Sequence, residues 1–247
     1  GASLVMIDDD LCQSVRPGLG CFCKNHRAML AEKLQLSPEA KELSAGALKQ
    51  SIFTGAPSPE RTAYFQVTGD SLRAFCRKLR RIADGIDPAL RLGFCAGYTS
   101  FDSEGATATE LTTILAGENR PFLRLSGAPY WVSASANRFS GTALADILEF
   151  VRMQNGFCTA AFGEEEVDLF HEADTYPRSR ALVPSAICAC YDCALRTEPN
   201  LGGLNYLFDY NSSPDYETGY LRGHLRYREL REQIDRAFDG TEPHGVR

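Results

Sequence analysis

Ser3-Leu-Val-Met-Ile7 running into Asp8-Asp9-Asp10 decides how this chain is read. A short apolar run that ends in three carboxylates has the form of a buried strand delivering acids to the rim of a sheet. Four later segments repeat the grammar. Arg91-Leu-Gly-Phe-Cys-Ala-Gly97 precedes Asp102 and Glu104, and Pro121-Phe-Leu-Arg-Leu-Ser126 precedes Tyr130 and Trp131. Val167-Asp-Leu-Phe-His-Glu172 precedes Asp174, and Gly203-Leu-Asn-Tyr-Leu-Phe208 precedes Asp209 and Asn211. Continuous apolar runs, rather than strict alternation, suit strands buried on both faces. The expected strands are 3–7, 92–97, 122–126, 167–171 and 204–208, parallel and adjacent in that order, because right-handed crossovers place successive strands side by side.

Helical periodicity fills the spaces between them. From Glu60 to Ala83 the apolar residues Tyr64, Phe65, Leu72, Phe75, Cys76, Leu79 and Ile82 fall largely at three- and four-residue spacings. That pattern predicts an amphipathic helix with one buried stripe, and the basic run Arg77 to Arg81 reads as its solvated face. A second helix is expected from an N-cap at Ser140 to a stop near Gly156, a third over about 180–195 and a fourth over about 220–238. Between Leu34 and Ala56 the pattern gives only a short helix and a loop.

The fold class expected is therefore α/β, a (β/α)8 TIM-barrel-like architecture. The length of 247 residues is that of a whole eight-unit barrel, yet only five β/α units are visible. The simplest reading is one barrel-type catalytic domain over 1–247 that lacks its first three units, so that the strands present are the fourth to the eighth. A five-stranded open parallel sheet is the competing architecture. No run of eighteen apolar residues exists, which argues against a membrane span. The net charge of −6 argues against a nucleic-acid surface. A cytoplasmic protein without a cofactor is expected, and self-association is left open.

Nine cysteines scattered through predicted strands and helices read as thiols rather than as a disulfide framework. Two clusters, Cys21-Phe-Cys23-Lys-Asn-His26 and Cys188-Ala-Cys190-Tyr-Asp-Cys193, share a C-x-C-x-x-(H/C) spacing of potential zinc ligands. In a helix, however, Cys188 and Cys190 point about 200° apart and cannot share one ion. Small residues packing a helix are the blander reading of both clusters, and no metal is assigned.

The carboxylates carry the chemistry. Asp8, Asp9 and Asp10 end one strand, and His171, Glu172 and Asp174 end another, on the face where barrel enzymes place catalytic groups. Clustered acids repel one another, which lifts at least one pKa toward the range of a general acid. Each also has a structural reading, as a turn cap, an orienting group or a loop start.

Ile7-Asp8-Asp9-Asp10 resembles the Ile-Asp-Asn-Glu strand end of barrel β-galactosidases, in the large (β/α)8 clan of retaining glycoside hydrolases. Gly20-Cys-Phe-Cys23, Phe101-Asp-Ser-Glu-Gly105 and Glu172-Ala-Asp-Thr-Tyr-Pro-Arg178 further resemble a group of bacterial glycosidase-like barrel proteins. The resemblance spans about residues 3–237. It implies an O-glycosyl hydrolase whose acid/base is Asp10 or Asp9, after the fourth strand, and whose nucleophile is Glu172, after the seventh. An aspartate stands where that clan has its acid/base glutamate, and another where it has an asparagine. Carboxyls about 5–5.5 Å apart would retain anomeric configuration, and a gap of roughly 6.5–9.5 Å would invert it. The two carboxyls are expected in one cleft, within about 10 Å.

A carbohydrate substrate would be held by aromatics with polar edges, Tyr98, Tyr130, Trp131, Tyr206 and Tyr210, and by hydrogen bonds from Asp8, Glu104, His171, Asp174, Asn205, Asp209 and Asn211. The alternative is a non-catalytic carbohydrate-binding or structural barrel domain, zinc-tied in one version. A metal-dependent hydrolase using Asp8, Asp10, His26 and His171 is a third class, disfavoured because four histidines spread thinly give no ligand-spacing motif.

Overall fold

Parallel strands need a crossover long enough to bring the chain back to its starting end, and a helix usually fills it. The computed structural model, which describes residues 2–8, 11–13, 21–35, 45–96, 105–129, 141–163, 166–173, 182–198, 200–205, 222 and 225–241, has this form throughout. The strands are parallel and neighbour one another in chain order, β1-β2 before residue 121 and β3-β4-β5 after it. The fold is α/β. Among the described residues no helix is long and apolar enough to cross a membrane.

Two compact units divide the chain, Gly1–Pro121 and Phe122–Arg247. The first holds β1 (Leu4–Ile7), α1 (Lys24–Lys33), α2 (Ala45–Phe53), α3 (Pro59–Ile86), β2 (Arg91–Cys95) and α4 (Ala108–Ala116). β1 pairs with β2 from Leu4 opposite Arg91 to Ile7 opposite Phe94. The run in β1 is not buried on both faces as expected, since Leu4 and Val5 are exposed. Among the described residues β1 ends the strand order with β2 as its neighbour, and its apolarity is not matched by cover.

α3 starts where its chemistry says it should. Ser58 accepts the Arg61 N–H at 3.2 Å, Pro59 follows at the first helical position and Glu60 sits in the first turn. Its buried face carries Tyr64, Val67, Leu72 and Cys76, but also Thr68, Gly69 and Arg80. Phe75 and Ile82, expected in the stripe, are about half exposed. The helices α1, α2 and α4 packed against α3 decide which face is covered, and apolar period alone did not locate them.

The basic run also departs from a solvated face. Arg80 is buried and donates from Nη1 to the Leu90 carbonyl at 2.7 Å and the Leu115 carbonyl at 3.3 Å, with Nε on Asp84 at 2.8 Å. It thus closes the end of α4 and the turn into β2. α3 meets the segment before α4 at two glycines. A Cβ on Gly69 would lie 2.0 Å from the Gly105 carbonyl oxygen, and Gly105 itself has φ +69°. Only residues without a Cβ permit this approach. Arg73 locks it, with Nη2 on the Gly105 carbonyl at 2.9 Å and Nε on Glu110 at 2.6 Å. That hydrogen bond to Arg73 is the main cause holding the Glu110 carboxyl below its ordinary value.

The second unit holds β3 (Phe122–Arg124), α5 (Gly141–Phe162), β4 (Asp168–Ala173), α6 (Leu182–Leu195), β5 (Leu201–Asn205) and α7 (Arg228–Phe238). α5 does not stop near Gly156 but runs through it to Phe162. Gly156 faces open space, where a glycine costs only about 1 kcal/mol of helix propensity. Its expected cap, Ser140, lies outside the described residues. β5 begins at Leu201, three residues before the expected start. Gly202 and Gly203 are strand residues that make room for neighbours on the two faces. The expected fourth helix is broken at Tyr227, a turn residue immediately before α7. Apolar period gave no bounds for α1 or α4.

Candidate functional site

Side chains alternate across a strand, and in a parallel pair residues opposite one another share a face. Phe122 is opposite Asp168 and Arg124 opposite Phe170. One face of β3–β4 therefore carries Phe122, Arg124, Phe170 and Glu172, and the other carries Leu123, Leu169 and His171. The rings of Phe122 and Phe170 meet edge to face at 6.4 Å on the first side.

Arg124 and Glu172, at the carboxyl ends of β3 and β4, form an ion pair with Nη1 and Oε2 2.7 Å apart. Both are almost wholly buried, at 2% and 4% exposure. A charge-assisted contact this short in a low-dielectric setting is among the stronger polar interactions of a fold. It is also a costly arrangement unless both partners stay charged. Glu172, the expected nucleophile, is thus held by a cation the sequence reading had passed over. The signal was present, since a lone arginine inside Phe-Leu-Arg-Leu is out of place in a buried strand unless it has a partner.

His171 points the other way, toward α6. Its Nε2 lies 3.0 Å from Oδ1 of Asp192, and its ring meets Tyr191 edge to face. Asp192 also accepts from Arg196 Nε at 3.2 Å and Arg231 Nε at 2.5 Å. Burial works to raise the Asp192 pKa, but the hydrogen bond and charge of His171, with the charges of Arg196 and Arg231, outweigh it and leave the carboxyl far below its ordinary value. An ionised carboxylate only accepts, so His171 Nε2 is the donor. The Arg231–Asp192 pair and an Arg196–Asp235 pair at 2.7 Å join α7 to α6 and to the turn that follows it. His171 and Glu172, adjacent in sequence, are therefore on opposite faces and are not brought together.

Gly203, opposite His171 in register, is what lets this network fit. A Cβ there would lie 2.5 Å from Asp192 Oδ1 and 3.1 Å from the His171 ring. Gly203→Ala is expected to destabilise the protein by about 1–3 kcal/mol, the usual cost of overpacking. Chemical denaturation showing a loss below about 0.5 kcal/mol would mean that the network shifts freely.

The backbone leaving β3 is clamped. Gln154 of α5 pairs with Ser126 in both directions, accepting from its N–H at 3.2 Å and donating to its carbonyl at 2.7 Å, and Tyr191 donates to the Gly127 carbonyl at 2.8 Å. This fixes the start of the segment that leads toward Tyr130 and Trp131. Of the other expected site residues, Asp8 follows β1 and is exposed, with its carbonyl accepting from the Leu11 N–H at 3.4 Å. Asn205 ends β5 opposite Ala173. Asp9, Asp10, Glu104, Tyr130, Trp131, Asp174 and Asp209 lie outside the described residues, as do Tyr98, Tyr206, Tyr210 and Asn211.

None of the nine cysteines is joined in a disulfide. Cys188 and Cys190 diverge as the helical reading requires, the first buried and the second exposed. Burial raises the Cys76 and Cys158 thiols to about 11, which makes them inert packing residues. Cys21, Cys23 and His26 differ from these, because their ligand atoms converge to within 4.8 Å of one another.

Comparison of the chain with protein-family models, with curated proteins and with solved structures finds no match.

Proposed function

We propose that this chain is glycoside hydrolase-like, an O-glycosyl hydrolase with Glu172 as nucleophile and Asp10 or Asp9 as acid/base. The observation that supports it is the Arg124–Glu172 pair, a carboxylate at the carboxyl end of a parallel strand with a guanidinium 2.7 Å away. A neighbouring cation favours the charged form of a carboxylate, the form that attacks an anomeric carbon. In the reaction, a Glu172 oxygen bonds to that carbon while the glycosidic C–O bond breaks and the acid's proton goes to the leaving oxygen. Water then hydrolyses the glycosyl ester, its proton returning to the same acid. On this reading the five strands are the fourth to eighth of a (β/α)8 barrel, and carbohydrate is the ligand.

The burial of the pair favours a second reading. At 4% exposure, Glu172 has the character of a structural ion pair in a non-catalytic domain that binds carbohydrate or only supports other parts. A panel of α- and β-linked nitrophenyl glycosides separates the two. The enzyme reading expects turnover of at least one member, reduced on the order of 10³-fold or more in Glu172→Gln. No turnover across the panel by a folded protein supports the second reading, and turnover that survives Glu172→Gln moves the nucleophile to another residue.

A further inference from the structure

We infer that Cys21, Cys23 and His26 form a binding site for one zinc-class transition-metal ion in the first unit, a conclusion independent of the glycosidase reading. Three side chains with soft or borderline donor atoms converge there to within 4.8 Å. Cys23 Sγ and His26 Nδ1 are 3.6 Å apart. Bond lengths of about 2.3 Å for Zn–S and 2.05 Å for Zn–N, at a tetrahedral angle, require a sulfur–nitrogen edge of roughly 3.6 Å. The two atoms already stand at the separation that a shared ion would impose.

The surroundings hold this arrangement in place from three sides. Cys23 is extended, with φ −63° and ψ 165°. Alternation along Cys21-Phe22-Cys23 puts the two sulfurs on one side and the ring between them on the other. Phe22 stacks on Tyr64 at 4.9 Å and meets Phe53 edge to face at 6.1 Å. That anchors the dipeptide links to the cluster of Leu30, Leu48, Ile52, Ala63 and Tyr64. α1 begins immediately afterwards and carries His26 in its first turn. The other ring nitrogen of His26, Nε2, lies 2.9 Å from Ser71 Oγ on α3. A metal-bound histidine characteristically donates its second N–H to such a partner, which fixes the tautomer and the ring plane. With an ion on Nδ1, the Nε2–H would donate to Ser71 Oγ and the Nδ1 lone pair would face the sulfurs.

Both cysteines are solvent-accessible, Cys21 half-buried and Cys23 exposed, so an ion can enter and water can take the fourth position. The contrast with the other C-x-C pair is physical. Cys188 and Cys190 share a helix, which separates them, whereas Cys21 and Cys23 precede one. The ion would tie the segment before α1 to the first turn of that helix, whose His26 is itself hydrogen-bonded to Ser71 of α3.

The test uses the full chain, reduced and freed of metal by chelation, titrated with Co²⁺ and then Zn²⁺. Expected are one equivalent bound, a sulfur-to-cobalt charge-transfer band with the intense visible bands of tetrahedral cobalt, and their loss when Zn²⁺ displaces it with submicromolar affinity. Cys21→Ser/Cys23→Ser should abolish the charge-transfer band with the circular dichroism unchanged, and Cys190→Ser/Cys193→Ser should leave it intact. Ser71→Ala should weaken zinc binding about 10- to 100-fold. No charge-transfer band in the folded wild-type protein, or a band that survives Cys21→Ser/Cys23→Ser, overturns the inference. Since these side chains are exposed or half-buried, the variants are expected to fold. Should Cys21→Ser/Cys23→Ser lose structure, His26→Gln decides instead, because a true site changes its cobalt spectrum and an unrelated one does not.

Discussion

Asp192→Ala is expected to destabilise the protein by about 3–5 kcal/mol, the cost of removing one partner from a buried ion network. Asp192 is fully buried and joins His171 of β4, Arg196 of the turn that follows its own helix and Arg231 of α7. Without the carboxylate, Arg231, itself buried, keeps its charge and loses the oxygen 2.5 Å from its Nε. At roughly 2–4 °C per kcal/mol for a chain of this size, the thermal midpoint should fall by about 6–20 °C. A fall of less than about 2 °C would show that water replaces the carboxylate at little cost.

The pH dependence has a definite sign. The Asp192 carboxyl titrates lower in the folded protein than its ordinary value of 3.8. Its ionised form therefore contributes stability that is fully present above that value and is lost as pH falls through the lower, folded one. Asp192→Asn keeps the shape and removes the titration. The stability gap between wild type and Asp192→Asn should accordingly be constant from neutral pH to about pH 5 and shrink below about pH 4. A gap that widens on acidification would contradict the assignment.

The strands were readable in the sequence because burial on two faces leaves a local record, a continuous apolar run. That record placed β2, β3 and β4 to within a few residues. It failed at β5, where Gly202 and Gly203 carry no apolar signal because the space for their side chains is used by Phe170 on one face and by Asp192 with His171 on the other. It failed again on α3, where cover from three other helices, and not period, sets the buried face.

α4 was missed although its start was written out. Thr107 accepts the Glu110 N–H at 3.1 Å, a Thr-x-x-Glu cap visible in Thr107-Ala-Thr-Glu110. α1 has no comparable mark, since its Cys23 cap makes no side-chain bond. Of the candidate site, the sequence pointed to Glu172 and to Cys21, Cys23 and His26. It did not disclose Arg124, Asp192 or Ser71, whose roles depend on partners 21 to 48 positions away, a relation set by the crossovers and not by local pattern.

Arg124→Met and Glu172→Leu should each destabilise the protein by about 3–5 kcal/mol, while the double variant should lose less than either alone. The reasoning rests on what is left behind. Each single change leaves one buried charge without the opposite charge that stood 2.7 Å away. Replacing both removes the desolvation cost together with the attraction, and apolar side chains of similar size refill the volume. Denaturant unfolding of the four proteins measures the coupling directly. Losses that simply add would mean the two side chains are energetically independent, and the support for Glu172 as a poised carboxylate would go with them. The same double variant then separates architecture from chemistry, because it is expected to be folded and near wild-type in stability yet to have no nucleophile. Glycoside turnover by wild type that vanishes in this stable protein would place the chemistry on Glu172 without the ambiguity of a misfolded mutant, whereas undiminished turnover would move the nucleophile elsewhere and leave Arg124–Glu172 as a strut between β3 and β4.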